Sequence, residues 1–351
     1  MNRKYLDKAF SDHNLDVIIS LSQQTRLWIT QISTTDGIMF IEKDENHLFV
    51  DGRYIEAAQK SAQNSKVYLL NKENLHQFIK DHKFKTIGIE QEYITVGEFE
   101  RVKQWYPEAK FVYLQAQQFR ILKSDAEIAK IQSAVDISLK GLEFTLEQIK
   151  PGMLEKDLDI ILNAQMKKLG ADKESFDSII ATGANSAMPH YRTGKSIIQE
   201  NDLLKIDFGS LYEGYCADIT RTFMFKPSTP DAKKLEILQI VREAAQIGRQ
   251  TVRPGIKVSE VDKACRDYIA SKGYGQYFVH STGHGVGIDI HELPTVSLFS
   301  DSILEPGMVI TVEPGIYIEG LGGARIEDVV LVTQDGSKTL SRPGEINGIS
   351  K

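Results

Sequence analysis

The sequence predicts an α/β domain over residues 1–120, followed by a larger α+β domain over residues 121–351 with internal pseudo-twofold symmetry. Three observations predict it. Short β-rich runs alternate with helical stretches up to about residue 115, long amphipathic helices begin at Ser124, and a basic-Pro-Gly segment between helices recurs about a hundred residues later.

In the first domain, DVIISL, GIMFIEKD, HLFVDGRY, SKVYLL, KTIGIE and KFVYL read as strands, because β-branched and aromatic residues cluster there in runs of strand length. From Ser124 to Lys150, Ile128, Ile131, Ala134, Val135, Leu139 and Leu142 fall at helical spacing behind a Ser124-x-x-Glu127 capping box, so the boundary lies near residue 120. One long helix then runs into Lys150-Pro151-Gly152-Met153, with EKDLDIILNAQMKKLG after it. Another runs into Arg253-Pro254-Gly255-Ile256, with VSEVDKACRDYIASKG after it. Each Pro-Gly ends one helix shortly before the next begins. Both units continue through a glycine-containing stretch with a histidine, GANSAMPH or HSTGHGVG, into two strands that bear acidic residues. A duplication of this kind predicts a site between the halves.

The chain has 351 residues, enough for two apolar interiors. With 41% hydrophobic and 26% charged residues it reads as globular rather than disordered, collagenous or disulfide-stapled. A net charge of −6 argues against a nucleic-acid partner, which needs a basic surface. Cys216 and Cys265 are too few for a disulfide framework and suit a reducing compartment. The opening MNRKYLDKAFSDHNLDVIIS lacks the apolar core of a signal peptide, and no uninterrupted apolar run reaches the roughly 18 residues of a membrane span. The expected compartment is the cytoplasm, with no membrane partner.

The chemistry concentrates in two acidic hairpins. In LLKIDFGSLYEGYCADITRTFMF the centre is expected near Tyr212 and Glu213, which sets Asp207 directly opposite Asp218. In VITVEPGIYIEGLGGARIEDVVLV, Glu313 and Glu327 are equidistant from Gly320, Arg325 shares the face of Glu327, and Tyr317 shares that of Glu313. One such pair also fits a solvated sheet edge carrying acidic residues. Two pairs, one in each half, beside three histidines within twelve positions, His280, His284 and His291, favour a site. No HExxH is present, and glycines flank His284 on both sides. Four carboxylates and an imidazole form a hard, oxygen-rich set suited to two divalent ions, Mn²⁺, Co²⁺, Fe²⁺ or Zn²⁺. Such a pair activates water for hydrolysis of a carbonyl compound.

These segments, together with VDGRY at 50–54, ILKSDAEI, GANSAMPHY at 183–191, HSTGHGVGIDIHELP at 280–294 and GGARIEDVV at 322–330, closely resemble the pita-bread metallopeptidases over nearly the whole chain. Within them the aminopeptidase P and prolidase branch is the most similar. The resemblance implies a creatinase-like N-terminal domain and a pita-bread catalytic domain. It implies Asp207, Asp218, His284, Glu313 and Glu327 as metal ligands, Glu313 as general base, and His190 and His291 as residues that contact substrate or stabilise the tetrahedral intermediate. It implies that His280 and Arg325 line the site and orient the scissile group, with Tyr317 a weaker candidate. The expected activity is metal-dependent hydrolysis of the Xaa-Pro bond at a peptide N-terminus, on a substrate with proline in second position. Manganese is the expected metal and a homodimer the expected assembly. A dipeptidase of the prolidase type is the alternative, because the loops that separate the two are not legible. A methionine aminopeptidase shares the five ligands but usually lacks the first domain and a histidine at position 280. A creatinase-like amidinohydrolase is metal-free, and pita-bread binding modules have typically lost ligands.

Overall fold

The computed structural model describes residues 1–342. The chain divides into two compact units, Met1–Arg120 and Ile121–Lys351.

The first unit is a six-stranded sheet formed by all six of the runs that read as strands: β1 (Val17–Ser20), β2 (Ile38–Ile41), β3 (Asn46–Val50), β4 (Lys66–Leu69), β5 (Thr86–Glu90) and β6 (Lys110–Leu114). Their spatial order is β4-β3-β2-β1-β5-β6. The consecutive runs β1, β2 and β3 pair antiparallel, whereas β4, β5 and β6 join in parallel. Parallel neighbours need crossovers, which is why helices such as Lys72–Asp81 and Val96–Trp105 separate those strands. Val17, Ile19, Phe40, Phe49, Phe78, Ile87 and Val102 form its core.

In the second unit the capping box at Ser124 closes as read, with the Ser124 N–H and hydroxyl donating to Glu127 Oε2 at 2.9 and 2.6 Å. The helix it starts, Asp125–Gln148, packs on helix Glu155–Lys168, and helix Ala232–Thr251 packs on Val258–Ser271. The two helix pairs correspond in detail. Gly152 and Gly255 both take a left-handed backbone, φ 88° and 86°, where a side chain would be strained. Gly152 N–H donates to Ile198 O at 3.2 Å and Gly255 N–H to Leu304 O at 2.8 Å. Isolated antiparallel bridges tie Leu154 to Ile197 and Lys257 to Ile303. The duplication read from two Pro-Gly segments is thus present in main-chain bonding.

Two sheets carry the acidic strands. One contains Ile179–Thr182, Asp202–Phe208 and Ile219–Phe225; the other contains Gly283–Gly285, Glu292–Val296, Val309–Val312, Asp328–Val332 and Ser337–Thr339. Leu204, Ile206, Phe208, Ile219 and Phe223 pack with Ile131, Val135, Leu158 and Leu162 in one apolar cluster, which fixes the first acidic hairpin on the helices. Among the described residues, no helix is long and apolar enough to cross a membrane.

Candidate metal centre

Alternation along Asp202–Phe208 buries Leu204, Ile206 and Phe208 in the apolar cluster, and the opposite parity carries Asp207. The expected pairing of Asp207 with Asp218 is off by two residues. Asp207 lies opposite Thr220, and Tyr212 pairs with Tyr215. The reason is the turn. Glu213 and Gly214 both have positive φ, 47° and 79°, as a two-residue type I′ connection requires, so the centre falls one residue beyond the expected point. Asp218 consequently meets Asp207 diagonally, and the charge of Asp207 acts on it.

The second hairpin has the expected register. Val312 pairs with Asp328 and Gly315 with Arg325, so Glu313 and Glu327 occupy opposed positions between two stretches of ladder. Their own backbone groups leave that ladder. Glu313 N–H donates to Thr282 O at 2.7 Å, and Glu327 N–H donates to Thr220 O at 3.1 Å. The second bond ties Glu327 to the strand opposite Asp207, which gathers the acidic groups of both halves. Glycines around His284 serve close strand approach, since a Cβ at Gly283 would lie 2.1 Å from Thr311 O, and one at Gly285 the same distance from Leu293 O.

Hydrogen bonding fixes the tautomers. His284 Nδ1 lies 2.9 Å from Gly285 O; a carbonyl only accepts, so Nδ1 carries the proton. The lone pair of Nε2 then faces Asp218 Oδ2 at 3.5 Å and Glu313 Oε1 at 3.4 Å. Once ionised, the two carboxylates repel that lone pair and each other unless a cation lies between them. One ligand atom each from Asp218, His284 and Glu327 falls within 4.8 Å of the other two. Asp207 Oδ1 and Glu327 Oε1 are buried without a hydrogen-bond partner, which leaves two oxygens free for a cation. With protein charges alone, burial pushes the Glu313 carboxyl up to about 8. Burial, then neighbouring carboxylates, raise Asp218 and Glu327 well above the ordinary range. This set of donors fits divalent metal ions.

A second row orders these groups. Arg325 makes a short ion pair with Asp207 through Nη2 and donates from Nη1 to Tyr317 OH at 3.0 Å. His280 holds its Nδ1 proton on Ser281 O at 2.7 Å, so its Nε2 accepts from Tyr317 OH at 2.8 Å. Tyr317 therefore links His280 to Arg325, a central role that face-sharing alone did not reveal. Burial brings His280 and His284 down to about 4, which keeps both neutral near pH 7. The His291 ring stands edge-on to His284, with centroids 4.3 Å apart. His190 is exposed, and its charge acts on His280 and His291. The structure thus places the other expected residues in one cluster, with His190 reaching it through its charge alone.

Sequence reading missed three supports. Thr220 donates to Glu327 Oε2 at 2.7 Å and accepts from Arg325 Nε at 3.0 Å. Lys205 donates to Met188 O at 2.7 Å and Ser186 O at 3.2 Å, just before His190. Glu155, fully buried, accepts from Thr182 N–H, Asn185, Tyr191 OH and Gly194 N–H across the same loop. A lysine inside an apolar strand was the visible signal for the second.

Residues 129–334 match the model of metallopeptidase family M24, and residues 3–121 match the creatinase/prolidase N-terminal domain. The chain belongs to metallopeptidase family M24. It is 36% identical to a solved Xaa-Pro dipeptidase from Bacillus anthracis, with a TM-score of 0.92 over 97% of each chain. It is 32% identical to an X-Pro aminopeptidase from Thermotoga maritima, with a TM-score of 0.88 over 95% of this chain and 97% of that one. An Xaa-Pro dipeptidase from Pyrococcus furiosus is 38% identical over 308 residues, 87% of each protein. The fold is therefore a creatinase-type N-terminal domain with a pita-bread catalytic domain. Family M24 membership makes the chain a metal-dependent peptidase, with divalent metal ions as its cofactors.

Proposed function

We propose that this family M24 enzyme hydrolyses the Xaa-Pro bond at the N-terminus of peptides. The observation that carries the hydrolytic reading is the approach of Asp218 and Glu313 to the Nε2 lone pair of His284, with Glu327 in the same cluster and one oxygen each of Asp207 and Glu327 lacking any protein partner. Proline selectivity rests on the Xaa-Pro peptidases to which the chain is similar, on Arg325 paired with Asp207, and on His280 joined to Arg325 through Tyr317. An aminopeptidase is the leading reading. A dipeptidase is the alternative, since proteins named for each activity are similar to nearly the whole chain.

In this reading residues 121–351 form the catalytic domain and residues 1–120 the creatinase-like one. Asp207, Asp218, His284, Glu313 and Glu327 hold two divalent ions, manganese first among them. Such ions supply Lewis acidity and a water of lowered pKa when bound. Glu313 takes the proton of the attacking water as general base, the role that the family resemblance implies for it. Neutral His280 and His291, with His190, contact the scissile group and the oxygen on which negative charge develops. Arg325 holds Asp207 in place while Tyr317 aligns His280. Cys216 and Cys265 are buried free thiols, in keeping with a cytoplasmic enzyme. A homodimer is the proposed assembly, as the commonest closed symmetry.

The test is kinetic. A peptide bond to proline is a tertiary amide without an N–H, so alanine at that position loses ring contacts and adds an unpaired donor. Together these lower kcat/KM by about 30–1,000-fold, or roughly 2–4 kcal/mol. Ala-Pro-Ala against Ala-Ala-Ala, with Ala-Pro against Ala-Ala as the dipeptidase arm, measures it. Equal turnover within both pairs, or cleavage only after methionine, refutes the proline assignment.

A further inference from the structure

The hairpin between β2 and β3 and the end of helix Lys72–Asp81 place a second group of metal-ligating side chains together, wholly within residues 1–120. Glu42, His47 and His82 each offer a ligand atom within 4.8 Å of the other two. We propose that these residues form a binding site for a zinc-type divalent transition ion, separate from the ions of the catalytic centre.

The geometry is close to that of an occupied site. His47 Nε2 lies 3.1 Å from Glu42 Oε1 and 3.3 Å from Glu45 Oε2. Two ligand atoms on a tetrahedral ion with bonds of about 2.0–2.1 Å are separated by about 3.3–3.4 Å, so these contacts already match an edge of that tetrahedron. His82 Nδ1 stands 2.9 Å from Phe78 O and must donate to it, so the backbone fixes the ring and the neutral tautomer has its lone pair on Nε2. His47 Nδ1 is 3.3 Å from Tyr68 OH, a partner for the ring nitrogen turned away from the carboxylates. Lys66 occupies Glu45 Oε1, so its Oε2 is the oxygen turned toward His47.

The surroundings favour a neutral imidazole. His47 is buried, packed at 4.9 Å from the Phe78 ring, and burial lowers its proton affinity. Without metal, its Nε2 donates a proton to the flanking carboxylates. With an ion on Nε2 the neutral ring carries its proton on Nδ1 instead, where Tyr68 OH is its partner, and the Nε2 lone pair faces the ion. Two imidazoles with one or two carboxylates suit zinc or cobalt rather than calcium or magnesium, which prefer all-oxygen shells.

The experiment counts bound zinc. Full-length protein is stripped with chelator, re-equilibrated with Zn²⁺ alone, desalted, and its zinc measured by elemental mass spectrometry. Wild type is expected to retain one ion per chain more than Glu42→Gln and more than His82→Gln. With Mn²⁺ supplied, both variants keep wild-type peptidase activity, since neither residue belongs to the catalytic centre. Co²⁺ titration gives an independent readout, with one set of visible d–d bands missing from both variants. Far-ultraviolet circular dichroism identifies a variant that has not folded, in which case the other one decides. Equal zinc content in wild type and a folded variant overturns the proposal.

Discussion

Tyr317→Phe removes one oxygen and nothing else from a buried row. That oxygen donates to His280 Nε2 at 2.8 Å and accepts from Arg325 Nη1 at 3.0 Å. The phenyl ring still fills the space, so no cavity cost is added. Loss of the neutral bond costs about 0.5–1.5 kcal/mol and loss of the charge-assisted bond about 1.5–3, together about 2–4.5 kcal/mol of stability. In a unit of this size each kcal/mol moves Tm by about 2–4 °C, so a fall of about 4–18 °C is expected. His280 also loses the group that orients it, and outer-row partners of a metal site typically contribute about 10–100-fold in activity. The fall is expected in kcat, with bound metal unchanged, because Tyr317 is not among the five proposed ligands. Thermal denaturation, metal analysis and steady-state kinetics on an Xaa-Pro peptide read the three quantities. A variant within about 0.5 kcal/mol of wild type and with unchanged kcat refutes the bridging role.

His284→Ala is expected to lose metal, whereas His280→Ala keeps most of it and loses turnover; equal metal loss from the two purified proteins would mean that their roles are divided wrongly. Catalytic-site metal affinity should rise with pH. Burial pushes Glu313 up to about 8 and raises Asp218 and Glu327 well above the ordinary range, so carboxyls protonated in the metal-free protein must release protons to bind an ion, and acid competes while alkali favours binding. Chelator competition at pH 6 and pH 8 measures this, and a pH-independent affinity contradicts it. Lys205→Met removes donors to three backbone carbonyls at 2.7, 3.2 and 3.4 Å and should cost about 1–3 kcal/mol, with a raised KM from a loosened loop before His190. Unchanged urea stability and KM in that variant would make Lys205 a passive strand residue.

The N-terminal sheet was legible because its strands are runs of β-branched and aromatic residues bounded by polar segments, and all six runs form strands. The register of the second acidic hairpin was legible because Gly320 sits at its true centre, as Ile318 pairing with Gly322 shows. The first was displaced because the positive φ of Glu213 shifts the turn, and a glutamate carries no sign of that backbone conformation. Acidic residues announce themselves by type and spacing. The groups that order them do not: Thr220, Glu155 and Lys205 act through pairing or through loops folded back from distant positions. Tyr317 was placed on the right face, yet its two partners lie 37 and 8 residues away and only the fold joins them.

Glu313 and Glu327 stand where one hairpin exchanges its partners, and their amides bond Thr282 and Thr220 instead of each other. Main-chain pairing therefore sets their separation, independently of what their carboxylates later hold. In a small zinc module the cation assembles the chain; here the socket is framed before anything enters it. Losing one carboxylate oxygen would end turnover and leave the frame standing. A chain of this architecture is thus one substitution away from a protein that still grips peptides but no longer cuts them, and an inactive copy could compete with the active one for the same substrates.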